Sequence, residues 1–205
     1  MIPPFTLTGS HVQLEPLDVA HVAPLVRAAC VDRSTYGFTK VPADLDEMTR
    51  YVTTLVADRD AGLAIPFAQR RLPSGDIVGC TRFMELAWWS GRAEPDEVEV
   101  GGTWLSADAQ RTPLNTEAKR LLLGHAFDVW RVARVAIATD ARNERSRAAI
   151  ERLGATFEGI LRNHRPVNVA GGAPPSPRDT ALYSIIDREW PTVRAVLDER
   201  LARRS

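Results

Sequence analysis

Cysteine and lysine are both scarce in this chain of 205 residues, and each scarcity excludes something. Two cysteines, Cys30 and Cys80, make no disulfide framework and carry no ligand spacing, and His11, His21, His125 and His164 lie far apart, so no structural metal is expected. Each cysteine reads as a small buried hydrophobe. Of 26 basic residues only Lys40 and Lys119 are lysine, a bias that reads as codon usage in a GC-rich bacterial genome and removes most acetyl acceptors from the protein itself. Net charge is absent, since 26 acidic residues balance the 26 basic ones, and with it goes the electrostatic footprint of a protein that grips nucleic acid or an anionic membrane. No run approaches the roughly 20 apolar residues that span a bilayer. The opening MIPPFTLTGSH has neither a basic n-region nor an apolar h-region, so a cytoplasmic protein is expected, without nucleic-acid or membrane partners.

What is present, 44% hydrophobic and 25% charged residues, suits one globular domain over residues 1–205. HVQLEPL alternates with period two and is followed by Asp18, a helix cap ahead of VAHVAPLVRAAC. Met48, Tyr51, Val52 and Leu55 fall at helical spacing behind Asp44. Residues 63–72 and 77–86 are apolar-rich and separated by PSGD, which predicts an antiparallel hairpin; EVEVGGTWL (97–105) adds a third strand, with Gly101-Gly102 marking a bulge or a close backbone approach. A long amphipathic helix runs from Asn115 to Trp130, then a short buried strand (133–139), then a helix (143–153) capped by Asn143 and ended by Gly154. Strands are expected at 156–162 and 181–186 around VNVAGGAPPSPRD, a mobile loop, with Asp187 capping a last helix. The pattern is mixed α/β, a meander followed by a βαβ crossover.

Chemistry concentrates in EVEVGGTWLSADAQRTPLNTEAKRLLLGHAF, where a strand and a small-residue loop feed a helix N-terminus, a geometry that collects free N–H groups for a phosphate. Glu99, Trp104 and Leu105, then Gln110 to Asn115, then Thr116-Glu117-Ala118, and then Asn143, Ser146, Leu153, Gly154, Glu158, Gly159, Leu161 and Arg162 stand in a distinctive order. That order resembles the GNAT acyltransferases of the RimJ/RimL type, with their E-I-G-W-x-W-L strand, Q/R-x-x-G-x-G/A pyrophosphate loop, T-E-A helix start and N-x-x-S…L-G-A/F…E-G-x-L-R segment. RDTALYSIIDREW is similar to the closing strand and helix of that branch. The resemblance implies a mixed parallel and antiparallel twisted sheet flanked by helices, acetyl-CoA as co-substrate, no metal, and a primary amine, on a peptide N-terminus or a small molecule, as acceptor. Homodimers are common among similar proteins.

It also implies site residues. Leu105, Gln110, Arg111, Thr112, Leu114, Asn115 and Thr116 would face the donor, their amides and the Arg111 charge on the diphosphate; Asn143 would touch the pantetheine arm, and Arg147 would reach the cofactor from the same helix. One departure stands out: Pro113-Leu114-Asn115 replaces Gly-x-Gly/Ala, and proline supplies no N–H. A neutral amine must attack the thioester directly, so a carboxylate base is needed; Glu99 is the candidate, with Glu97, two residues earlier on the same strand face, as the alternative. The helix after the βαβ unit has no tyrosine to protonate the thiolate, leaving Ser146 as the acid candidate. Tyr36, Phe38, Trp88 and Trp89 are assigned to the acceptor side. Tyr183 is left between acceptor pocket and core. A noncatalytic acyl-CoA-binding module of the same fold is the alternative function. A dinucleotide-binding enzyme is excluded, because HVQLEPLD is followed by no glycine fingerprint.

Overall fold

A computed structural model describes residues 2–167 and 176–203. Strand β1 (Leu7–Thr8) leads into β2 (Val12–Pro16), whose Val12 and Leu14 point into the core. Asp18 starts the next turn with a reciprocal cap: its carboxylate accepts from the Ala20 N–H at 2.9 Å and its own N–H donates to His21 Nδ1 at 2.9 Å. Helix α1 (Val22–Ala29) follows, then α2 (Leu45–Asp60), capped by Asp44 through the Glu47 N–H at 2.8 Å. β3 (Ala64–Arg71) and β4 (Ile77–Ala87) form the expected hairpin, with Gly75 in the left-handed region (φ +82°). β5 (Glu97–Leu105), α3 (Pro113–Gly124), β6 (Arg134–Asp140), α4 (Glu144–Leu153), β7 (Thr156–Val167), β8 (Ser176–Ile186) and α5 (Trp190–Ala202) complete the described chain.

The strands form one sheet in the order β1-β2-β3-β4-β5-β6-β8-β7. Every neighbouring pair is antiparallel except β5 and β6, which are joined through α3 and run parallel. Val98, Val100, Val135, Ile137 and Tyr183 pack in one core with side chains of α3, α4 and α5, and a second core joins α1 and α2 to Ala68, Cys80 and Trp104. Glu117 ties α3 to the start of the chain, its carboxylate accepting from the N–H groups of Ser10, His11 and Val12 at 2.8, 2.6 and 2.8 Å.

The parallel ladder is short. β5 and β6 pair only as Glu97↔Arg134, Val98↔Val135 and Glu99↔Ala136, and beyond Glu99 each strand stays with its antiparallel neighbour. The bulge expected at the glycine pair lies just past this point: Gly102 has φ +58°, and the β4–β5 register shifts between Cys80 and Arg82. A bulge bends and twists its strand, so β5 swings away from β6 and the sheet forks.

Several expectations are corrected. The long helix changes pitch, from α3 to a wider π-type turn over His125–Trp130. β7 and β8 extend to Val167 and back from Ser176, pairing across residues assigned to a loop, because the backbone of Arg165 to Val167 finds partners in Ser176 to Arg178. The rest of that loop, residues 168–175, lies outside the described residues. Asp187 does not cap α5; the helix begins three residues later, with Pro191 in its first turn. Cys80 is buried as expected, whereas Cys30, at the end of α1, is exposed.

Candidate active site

The fork opens into a cleft of about 1080 Å³ walled by β5, the loop into α3 and its first turn, one side of α4, residues 34–39 and the end of α5. Leu105, Gln110, Arg111, Thr112, Asn115, Thr116, Asn143 and Ser146 all line it, so most of the residues singled out in sequence converge on one space.

At the α3 end the backbone is shaped for an anion. Arg111 sits in the left-handed region (φ +62°), and neither its N–H nor that of Thr112 finds an acceptor among the described residues. Consecutive amides around a left-handed residue form an anion-binding concavity, and the start of α3 adds the positive end of its dipole. Pro113 is the first helical residue, where an N–H would have no partner within the helix. Its presence therefore leaves the helix start intact. Thr112 is the cap: its hydroxyl donates to the Ala109 carbonyl (2.7 Å) and accepts from the Leu114 N–H (3.4 Å). That contact corrects the assignment of Leu114, whose side chain is buried in the core and whose amide is used by the cap. Asn115 is left with a buried side-chain oxygen that has no hydrogen-bond partner.

The walls are held by polar contacts. Gln110 is a strut, its amide donating to the Leu105 carbonyl (3.0 Å) and the Thr35 hydroxyl (3.1 Å) while its oxygen accepts from Arg145. Asn143 caps α4 by accepting from the Ser146 N–H at 3.0 Å. Arg147 turns away from the cleft. About 100° around the helix from Ser146, it donates to the Tyr183 hydroxyl at 3.0 Å and stacks over Phe157, so its assignment to the cofactor does not hold. Tyr183 is fully buried and belongs to the core. Tyr36 and Phe38, assigned to the acceptor, stand in this same cleft, Tyr36 packed edge-on against Trp104. Trp88 and Trp89 lie outside it, 45% and 60% exposed on the β4–β5 loop, which Asp96 fastens by accepting from the Ser90 hydroxyl and the N–H groups of Trp89 and Ser90. Those bonds, with Arg92, hold the Asp96 carboxyl well below the usual range.

On the opposite face of β5 the carboxylates are occupied. Glu99, the last residue of the ladder, is 5% exposed and receives both guanidinium nitrogens of Arg165, at 3.0 and 2.7 Å. Glu97 pairs with Arg134 at 3.1 Å, which also holds Glu158, and lies away from the cleft. Sequence reasoning missed Arg152, Arg200 and Arg203, which join Arg111, Arg142 and Arg145 around the cleft against Glu144. They are brought there by α4 and α5, and no local motif marks them. Among the described residues no group of His, Cys, Asp and Glu could hold a metal ion.

The sequence profile of the acetyltransferase (GNAT) domain matches residues 11–156, which contain the fork, the anion-shaped loop and α4. The chain belongs to the GNAT acetyltransferase family. A GCN5-related N-acetyltransferase from Brucella melitensis superposes with a TM-score of 0.82 at 29% identity, over 98% of this chain and 86% of that one. RimJ of Mycobacterium smegmatis, solved with CoA-disulfide, superposes at 0.77 over 96% of this chain and 95% of its own, and at 20% identity this likeness concerns the fold. YdaF of Bacillus subtilis, provisionally named a ribosomal N-acetyltransferase, is 35% identical over 89 residues, 43% of this chain and 45% of YdaF's length. The YdaF name agrees with the RimJ/RimL-type branch that the motifs resemble.

Proposed function

We propose that this chain transfers an acyl group, acetyl in the first instance, from acyl-CoA to a primary amine on a peptide N-terminus or a small molecule, by direct attack within a ternary complex. Its 205 residues act as one domain, working in the cytoplasm. The observation that carries this reading is the pair of unpartnered amides at Arg111 and Thr112, set at a helix start inside a rim of arginines. Such a place suits a diphosphate. Arg111, Thr112, Asn115 and Thr116 hold that group, and the arginine rim takes the remaining phosphate charge. Leu105 and Asn143 flank the pantetheine arm, and the orphaned Asn115 oxygen accepts a hydrogen bond from the donor. When bound, the donor supplies the activated thioester.

An amine is nucleophilic only when neutral, and α-amino groups near pKa 8 are mostly protonated at pH 7. Glu99, at the branching point of the strands, takes that proton once an acceptor displaces Arg165 from it. The Arg165 clamp also favours a second reading, a noncatalytic acyl-CoA-binding module, because both oxygens of the carboxylate are already occupied.

Calorimetry with acetyl-CoA, CoA and dephospho-CoA, followed by thiol release over a panel of amines, separates these. Saturable binding with amine-dependent thiol release supports the enzyme; binding without release supports the module; no binding removes both. In the active enzyme Glu99→Gln is expected to lower turnover at neutral pH by about 100-fold with acetyl-CoA affinity kept, and unchanged turnover across the pH range would remove Glu99 as base.

A further inference from the structure

Lys119 is one of only two lysines and, with Glu117, one of two buried charged residues of α3 that lack an ion pair among the described residues; Glu117 is met instead by three backbone N–H groups. Lys119 is 6% exposed and makes no ion pair among the described residues. Its Nζ donates to the Thr103 hydroxyl at 2.6 Å and reaches Thr81 at 3.5 Å, while the two hydroxyls lie 2.8 Å apart. Among the described residues no charged group faces it: Thr81 comes from β4 and Thr103 from β5, while Glu117, on its own helix, is turned toward Ser10, His11 and Val12. A buried ammonium with no carboxylate is costly to keep, and packing alone is better served by an apolar side chain.

Thr103 gives the arrangement a direction. It lines the cleft, and of the β5 residues that do so it stands nearest to Glu99, where the strands part. The diphosphate end of the cleft is fixed by Arg111 and Thr112, so an extended donor brings its sulfur toward the fork and Thr103. Ser146 also lines the cleft, but its hydroxyl has no hydrogen-bond partner among the described residues and so no proton source behind it.

Building on the acyl-CoA reading, we propose that Lys119, acting through the Thr103 hydroxyl, supplies the proton taken up by the departing thiolate. The amine nitrogen forms its bond to the carbonyl carbon, and the C–S bond breaks with its electron pair on sulfur. Thr103 gives its proton to that sulfur and receives one from Nζ, leaving Lys119 as a neutral amine. The proton lost by the attacking amine passes to Glu99 or water, and solvent returns one to Lys119 as the cleft empties. Thr103 is the group that touches the donor; Lys119 is the positioning residue and proton source behind it. Burial without a counter-charge pulls the ammonium down to about 7, which makes it a competent acid at neutral pH.

The test needs no acceptor. With lysine labelled at 13Cε the chain gives two signals, and the exposed Lys40 serves as internal reference. The Lys119 titration midpoint is expected to rise by about one pH unit when CoA binds and to stay put with desulfo-CoA, which lacks the sulfur. In parallel, the thiol of bound CoA, followed by thiolate absorbance, is expected to ionise about one unit lower in the wild type than in Lys119→Met. Thr103→Val should match Lys119→Met, and Thr103→Ser should match the wild type. A Lys119 signal that responds equally to CoA and desulfo-CoA overturns the proposal, as does a thiol midpoint the same in wild type, Lys119→Met and Thr103→Val. Should Lys119→Met fail to fold, Thr103→Val and the wild-type NMR titration decide. Wild type that does not bind CoA overturns the acyl-CoA reading, and this inference with it, whereas binding without the Lys119 response overturns the inference alone.

Discussion

The two faces of β5 treat charge in opposite ways. On the face toward β7, Glu99 and Glu97 are matched by Arg165 and Arg134, and their oxygens are spoken for. On the face toward α3, Lys119 is buried without a counter-charge, and at the mouth of the cleft two amides and the Asn115 oxygen lack partners. Folding normally satisfies buried polar groups, so a cluster left unmatched is where a ligand completes the structure. On the matched face the ion pairs tie β7 and β6 to β5; on the unmatched one polar groups are left free for a ligand.

The sharpest way to break this contrast is to remove the unmatched charge. Lys119→Met is expected to stabilise the fold at neutral pH, with an upper bound of about 5 kcal/mol set by a fall from the ordinary lysine value of 10.5 to about 7. The pH dependence has a defined sign. Below pH 7 both folded and unfolded chains hold the proton, and the burial penalty is constant. Above it the unfolded chain binds more protons than the folded one, so wild-type stability should rise from about pH 7 to about pH 9, and that slope should vanish in Lys119→Met. At higher pH the trend reverses, because burial pushes the Cys80 thiol and the Tyr51 hydroxyl up and their ionisation favours unfolding. Urea unfolding across this range checks all of it.

Unmatching the other face should act in reverse. Arg165→Met leaves Glu99 buried and unpaired, a loss of roughly 3 kcal/mol at neutral pH. Denaturant midpoints of Arg165→Met in the wild-type and in the Glu99→Gln background compare the charged and the neutral partner; equal losses in both would mean that Arg165 contributes packing rather than charge. Next in size, Asn115→Trp fills the anion end and is expected to weaken acetyl-CoA by about 30-fold, roughly 2 kcal/mol, measured by calorimetry. The smallest effect belongs to the rim: Arg203→Ala, exposed and already paired with Glu199, should weaken acetyl-CoA only about threefold, and less at high salt.

The legible half of the site is contiguous in the chain. Leu105, Gln110 to Thr112, Asn115 and Thr116 lie on one strand–loop–helix segment, and Asn143 with Ser146 on the next helix start, so local capping and turn chemistry already gather them. Even there the roles shift on folding. Leu114 serves the cap, Gln110 becomes a strut, and Arg147 reaches Tyr183 on β8. What could not be read is built across long separations: Arg165 on Glu99, 66 residues apart, Arg203 at the mouth of a cleft begun at Ser34, and Lys119 beneath Thr103.

By itself the sequence determined the alternation of strands and helices, the limits of β5, the bulge at the glycine pair and the capped start of α4, because each depends on period, propensity and bonds spanning a few residues. Only the tertiary structure decided which charges are cancelled and which are left over. Pairing depends on where the strand order β5-β6-β8-β7 brings side chains from distant segments, and the short parallel ladder between β5 and β6 is what leaves space between them for a ligand.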